Sequence, residues 1–155
     1  MRNIFALIVA SYALFGCDQE SKFSDLLGPG VQEKVQPYVH SYREFLQDIG
    51  ADYKVRYLPW LSIRFGDIRN DEDMIGYCIR GKMRVVLDED FWNTAGEKTR
   101  TALVYHELTH CIAGISTHDA EPKQIFSARL TNEAYLKKTW SQQLKRLAHR
   151  LRSAP

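Results

Sequence analysis

The sequence predicts a single α+β domain with helices on either side of a small strand-rich centre. Three observations carry this. Val31, Val35, Val39, Tyr42, Phe45 and Ile49 recur at helical spacing, residues 52 to 88 are rich in β-branched and aromatic side chains, and two amphipathic segments follow residue 94. At 155 residues the chain is long enough to bury one core. Its formal charge of +2 leaves no footprint for nucleic acid.

The first residues stand apart from that domain. "MRN" is a short positive start, and the apolar run "IFALIVASYALF" that follows is shorter than the ~20 residues a spanning helix needs. The run ends in "LFGC" and turns at once to polar "DQESK", which resembles a bacterial lipoprotein signal. Residues 1–16 are then a signal peptide, Cys17 is the lipidated residue, and 17–30 form a tether broken by Gly28, Pro29 and Gly30. The domain proper spans 31–155 and, without Arg2, the charge becomes +1. The expected location is the bacterial cell envelope, with the membrane reached through Cys17. Asp18, directly after the cysteine, points to the periplasmic face of the inner membrane.

Outside the cytoplasm disulfides persist. With Cys17 assigned to lipid, Cys78 and Cys111 remain, and an even remainder favours one bridge over two free thiols.

Taken in order, residues 31–49 read as a helix stopped by Gly50, or as a turn before a helix that begins near Pro37; His40 within it is structural. The segment "DYKVRYLPWLSIRFGDI" reads as strands interrupted at Pro59. "IGYCI", "RGK" and "MRVVLD" form a hairpin. Thr94 and Glu97 have capping-box spacing ahead of a helix whose stripe is Val104, Leu108, Cys111 and Ile115, and Gly114 is its stop. That stripe faces inward and carries Cys111 toward the hairpin. A last helix presents Leu136, Trp140, Leu144, Leu147 and Leu151. Its basic face is either solvated or set against anionic lipid headgroups.

The chemistry concentrates in "VYHELTHCIAGISTHDAE", residues 104–121. Histidines at i and i+4 on a helix stand ~5–6 Å apart at Cβ, close enough for both rings to reach one Zn²⁺ at ~2.0–2.1 Å. His106 and His110 meet that spacing, and Glu107 projects beside the ion as a general base. Three fixed residues in five recur by chance in roughly one chain in a few hundred. The capped helix after a hairpin, with a further histidine beyond its end, gives this instance its weight. Catalytic zinc takes three protein ligands, and the third is His118, Asp119 or another residue, Glu121 included; Asp119 is alternatively a hydrogen-bond partner of a ligand histidine. No oxyanion donor stands out, Tyr105 and Tyr135 being the candidates.

Together, "GYC", "VVLDEDFW", "HELTHC", "THD" and "PKQIF" resemble the zincin-like metallopeptidase superfamily, in particular small metallopeptidases of bacteria and their phages. The likeness covers roughly residues 75–128. It implies a mixed or antiparallel sheet over an active-site helix, one zinc ion on His106, His110 and His118, and Glu107 as base. Thr109 stands where the pattern has glycine. Phe126 stands where a methionine would floor the metal. The metzincin spacing of glycine and histidine after the second ligand is not met.

The expected function is a membrane-anchored zinc metallopeptidase acting on peptides or proteins of the envelope. The alternative is a catalytically inactive metal-binding or structural lipoprotein with the same fold. Substrate and oligomeric state are not written in the sequence.

Overall fold

A computed structural model describes residues 30–68 and 74–154. The signal and lipid-box assignments, Cys17 included, lie outside them.

Four short strands form one mixed sheet: β1 (Gly30–Val31), β2 (Ser62–Gly66), β3 (Gly76–Ile79) and β4 (Arg84–Asp88), in the order β1-β2-β4-β3. β1, β2 and β4 run parallel, while β3 is antiparallel to β4 and lies at an edge. The β3–β4 pair is the expected hairpin, closed by a 3-10 turn over Arg80–Lys82 and by Met83 in the left-handed region (φ 47). Gly30, read as the end of the tether, is already part of the sheet. A Cβ there would sit 2.6 Å from that of Ser62, so only glycine lets β1 approach β2 this closely.

Residues 52–60 are not a strand. Asp52–Trp60 forms a 3-10 helix, and β2 begins only after Leu61. Ala51, Lys54, Leu58 and Leu61 are buried, a spacing of three and four, while Trp60 is 67 % exposed. Lysine at one inward position hides that period from a hydrophobic template. Pro59, which cannot donate to a ladder, is compatible with the turn.

Helix α1 (Gln36–Asp48) has Pro37 in its first turn, follows a 3-10 turn (Glu33–Val35), and precedes a left-handed Gly50 (φ 71). The short α2 (Glu89–Thr94) is capped by Asp88, whose carboxylate accepts from the Phe91 N–H at 2.7 Å. Helix α3 (Glu97–Ala113) is the centre of the fold, with every residue from 101 to 109 buried. Helix α4 (Glu133–Ser153), capped by Asn132, buries Leu136, Leu147 and Leu151. α3 packs against α1, α4 and β3.

The expected capping box does not form. Thr94 ends α2, its hydroxyl donating to Asp90 O and Phe91 O, and α3 starts after Gly96 with no local side-chain cap. The cap arrives from α4. The Glu133 carboxylate accepts from Lys98 N at 3.2 Å, and from Thr99 N and the Thr99 hydroxyl at 2.8 Å each. A Cβ on Gly96 would lie 2.5–2.9 Å from that carboxylate, so the glycine leaves it room. Desolvation pushes Glu133 upward, but the Thr99 backbone and hydroxyl, Lys137 and Lys98 N–H outweigh it and hold the carboxyl at about 2.

The basic face of α4 is largely engaged by the protein itself. Lys137 pairs with Glu133, Arg146 with Glu121 and Arg150 with Asp119, while Arg152 donates to Ile49 O.

Cys78 on β3 and Cys111 on α3 form a disulfide with Cα atoms 5.6 Å apart, tying the edge strand to the central helix. Replacing either cysteine by serine should lower the unfolding free energy by about 2–4 kcal/mol, read as a drop in the urea midpoint; an unmoved midpoint would refute the clamp. Glu133 titrates near 4.5 when free and at about 2 in the fold, so its charge stabilises the protein fully above about pH 4.5 and ceases to as pH falls through about 2. Glu133→Gln should therefore destabilise the protein by ~1 kcal/mol at neutral pH, the scale of a helix cap. In paired melts that gap should close toward low pH, and a gap independent of pH would exclude the charged cap.

Candidate metal centre

Helix geometry brings His106 and His110 together on one turn of α3, with ring centroids 4.8 Å apart. Gly114 (φ 71) then ends the helix in the left-handed region, which turns the chain back across the helix end. The returning loop delivers His118. The three Nε2 atoms lie 3.1 Å (His106–His110), 3.1 Å (His110–His118) and 3.2 Å (His106–His118) apart. Three nitrogens bonded at ~2.0–2.1 Å to one tetrahedral ion would stand ~3.3 Å apart, so the spacing suits a shared cation.

The opposite ring nitrogens decide the protonation. His106 Nδ1–H donates to Ile125 O at 2.8 Å, and His110 Nδ1–H donates to Ile115 O at 2.6 Å. A carbonyl only accepts, so each Nδ1 carries the proton and each Nε2 of the neutral ring presents a lone pair. The His106–His110 contact at 3.1 Å is then acceptor against acceptor. That arrangement is repulsive until a cation lies between the two. Desolvation lowers the pKa of His106 to about 4, with His110 and His118 acting in the same direction against the Ile125 hydrogen bond. His110 is lowered too, chiefly by burial, with His118, Arg80 and Arg150 adding to it. Both rings are held neutral, the form that ligates.

Glu107, only 4 % exposed, borders a cavity of about 840 Å³ that all three histidines also line. Its Oε2 is buried with no hydrogen-bond partner among the described residues, and desolvation raises the carboxyl to about 8. The backbone of β3 passes directly over it. A Cβ on Gly76 would lie 3.1 Å from Glu107 Oε1 and 3.1 Å from Leu103 Cδ1, so this glycine sets how closely the cavity wall approaches the carboxyl. Tyr77 on β3 and Leu130 in the loop before α4 also line the cavity.

Of the three candidates for a third ligand, only His118 joins the cluster among the described residues. Asp119 is bound to Arg150 and Glu121 to Arg146, so neither carboxylate is directed at the histidines, and Asp119 partners a guanidinium in place of an imidazole. Tyr105 is buried against Ser41, 2.9 Å from hydroxyl to hydroxyl, and Tyr135 lies in the first turn of α4, where its N–H donates to the Asn132 cap; neither lines the cavity. Phe126 forms the floor, its ring centroid 5.0, 4.7 and 5.7 Å from those of His106, His110 and His118. Thr109, at the glycine position of the pattern, is fully buried and bonded to Tyr105 O and to the Tyr42 hydroxyl.

One contributor escaped the sequence reading. Gln143, buried on α4, accepts from Ile125 N at 3.0 Å and donates to Lys123 O at 2.9 Å. It thereby holds the backbone N–H of Ile125, the residue whose carbonyl orients His106. The available signal was a polar residue in register with Leu136 and Leu147 on an otherwise apolar stripe.

A family model described as "Putative phage metallopeptidase" matches residues 64–145, a span that includes β3, β4, all of α3, the returning loop and the first part of α4. No curated protein and no solved structure gives a match. With more than half of its length in that match, and with the histidine cluster inside it, the chain belongs to this phage metallopeptidase family.

Proposed function

We propose that the protein is a zinc-dependent metallopeptidase of the bacterial cell envelope, lipid-anchored through Cys17 at the periplasmic face of the inner membrane. His106, His110 and His118 are the metal ligands in this reading, and Glu107 is the catalytic base. The observation that carries it is the convergence of three Nε2 atoms at 3.1–3.2 Å, two of them tautomerically fixed as lone-pair donors, beside a buried carboxyl on a cavity. An all-imidazole donor set suits zinc among the common divalent ions. The disulfide and the "LFGC" box both support an oxidising, extracytoplasmic setting.

When bound, the cation supplies positive charge that polarises a carbonyl, acidifies a water and favours the ionised form of a neighbouring carboxyl. Glu107 manages the proton. Its buried Oε2 accepts one from the attacking water and returns it to the amine nitrogen as the C–N bond breaks, so that water and peptide become acid and amine. β3 and the loop before α4 wall the cavity on which that transfer takes place. Phe126 keeps the floor beneath the histidines dry.

Two outcomes are expected of purified protein. Glu107→Gln should keep its zinc and lose about 10²–10⁴ in turnover of a peptide library; unchanged turnover would remove Glu107 from the chemistry. His106→Ala/His110→Ala should lose the metal, and stoichiometric zinc in that variant by elemental analysis would refute the centre. A wild type that holds zinc and cleaves nothing would favour the inactive metal-binding alternative.

A further inference from the structure

Two of the three converging rings are placed by the repeat of a buried helix. His118 is not: it is exposed and sits on the loop that leaves α3. Its position depends on whatever holds that loop, and both of its chain neighbours are held by one side chain. Arg150, in the last turn of α4, donates through Nη1 to Asp119 Oδ1, and through Nη2 to Thr117 O and to Thr117 Oγ1, the last at 2.9 Å. The Arg150 and Asp119 side chains are only 23 % and 26 % exposed, so this pair is better shielded from solvent than Arg146–Glu121, at 42 % and 70 %. The same guanidinium lies 4.8 Å from the centroid of Phe126, the ring beneath all three histidines.

From this geometry we infer that Arg150 is the positioning residue for the third metal ligand. One planar fork grips the residues before and after His118, and holding Thr117 and Asp119 together restrains the backbone on both sides of the ring. The inference rests on the metal-centre reading. It adds that the completeness of the centre is controlled from α4, beyond the 64–145 span of the family match. Without Arg150 the loop would have to be ordered at the moment of metal binding, and that entropy would be subtracted from affinity.

The test is a cycle of zinc affinities on the full-length purified protein, read by competition with a chromogenic chelator. Arg150→Ala should weaken zinc binding by about 10–100-fold, the usual effect of removing a residue that orients a ligand. Asp119→Ala leaves the guanidinium on Phe126, so it should fold even where Arg150→Ala does not, and it should weaken binding in the same way. If Arg150 acts through His118, the Arg150→Ala/His118→Ala and Asp119→Ala/His118→Ala variants should bind no more weakly than His118→Ala alone. Losses that multiply in the double variants, or single variants with wild-type affinity, would overturn the inference and leave the metal centre standing. Wild-type affinity in His106→Ala/His110→Ala would overturn the metal centre and the inference with it.

Discussion

Two imidazole lone pairs 3.1 Å apart repel each other unless something positive lies between them, and much of the fold serves to keep His106 and His110 in that position. Each ring is pinned from behind by a carbonyl, so neither can rotate its N–H into the gap. The Ile115 carbonyl comes from the start of the returning loop and the Ile125 carbonyl from its far side. The loop therefore sets the tautomers as well as delivering His118. A centre of this kind is preorganised in its protons before any ion arrives.

Holding the arrangement requires a rigid helix in a dry setting. α3 is buried along nearly its whole length, unlike a surface helix with a single apolar stripe. Its two ends are tied by different means. At the first turn the Glu133 carboxylate takes the N–H groups of Lys98 and Thr99, which the helix itself leaves unpaired. At the last turn the disulfide joins Cys111, the residue after a histidine of the cluster, to the edge strand. Burial also costs: it removes water from Glu107 and His106 and drives both toward their neutral forms. The same desolvation makes any cation placed among them act strongly, because little solvent screens it.

Legibility in the sequence followed the range of the interaction. The i, i+4 histidines, the hairpin about "RGK" and the Gly114 stop are local patterns, and the chain reads as it folds there. The Cys78–Cys111 bridge was accessible because only two cysteines remained to pair and the helical phase faced one toward the hairpin. The segment 52–60 misled because Lys54 occupies an inward position, so a three-to-four period passed for partial alternation. Thr94 misled in another way: its spacing to Glu97 was right, but the real cap lies 34 residues away from Thr99, on a different helix. Gln143 and Arg150 act through contacts that no local template contains. His118 was one of three open choices for the same reason, since which residue of a loop turns inward is settled by what grips the loop from outside.

Phe126 shows what the floor of such a centre has to provide. A methionine at this position, as the resembling pattern has it, offers sulfur, flexibility and apolar bulk. Phenylalanine retains only the bulk, and adds a flat, stiff face. Here one ring contacts all three imidazoles at centroid distances of 4.7–5.7 Å while remaining 1 % exposed, so water is kept out from below without any sulfur. A face of that kind also gives the guanidinium of Arg150 a surface to lie against, which a mobile thioether would hold less firmly. The substitution and the grip on the loop are thus consistent with each other: a rigid floor suits a site whose third ring is steadied from the last helix, and Phe126 is in contact with both the histidines and Arg150, which grips the loop that carries His118.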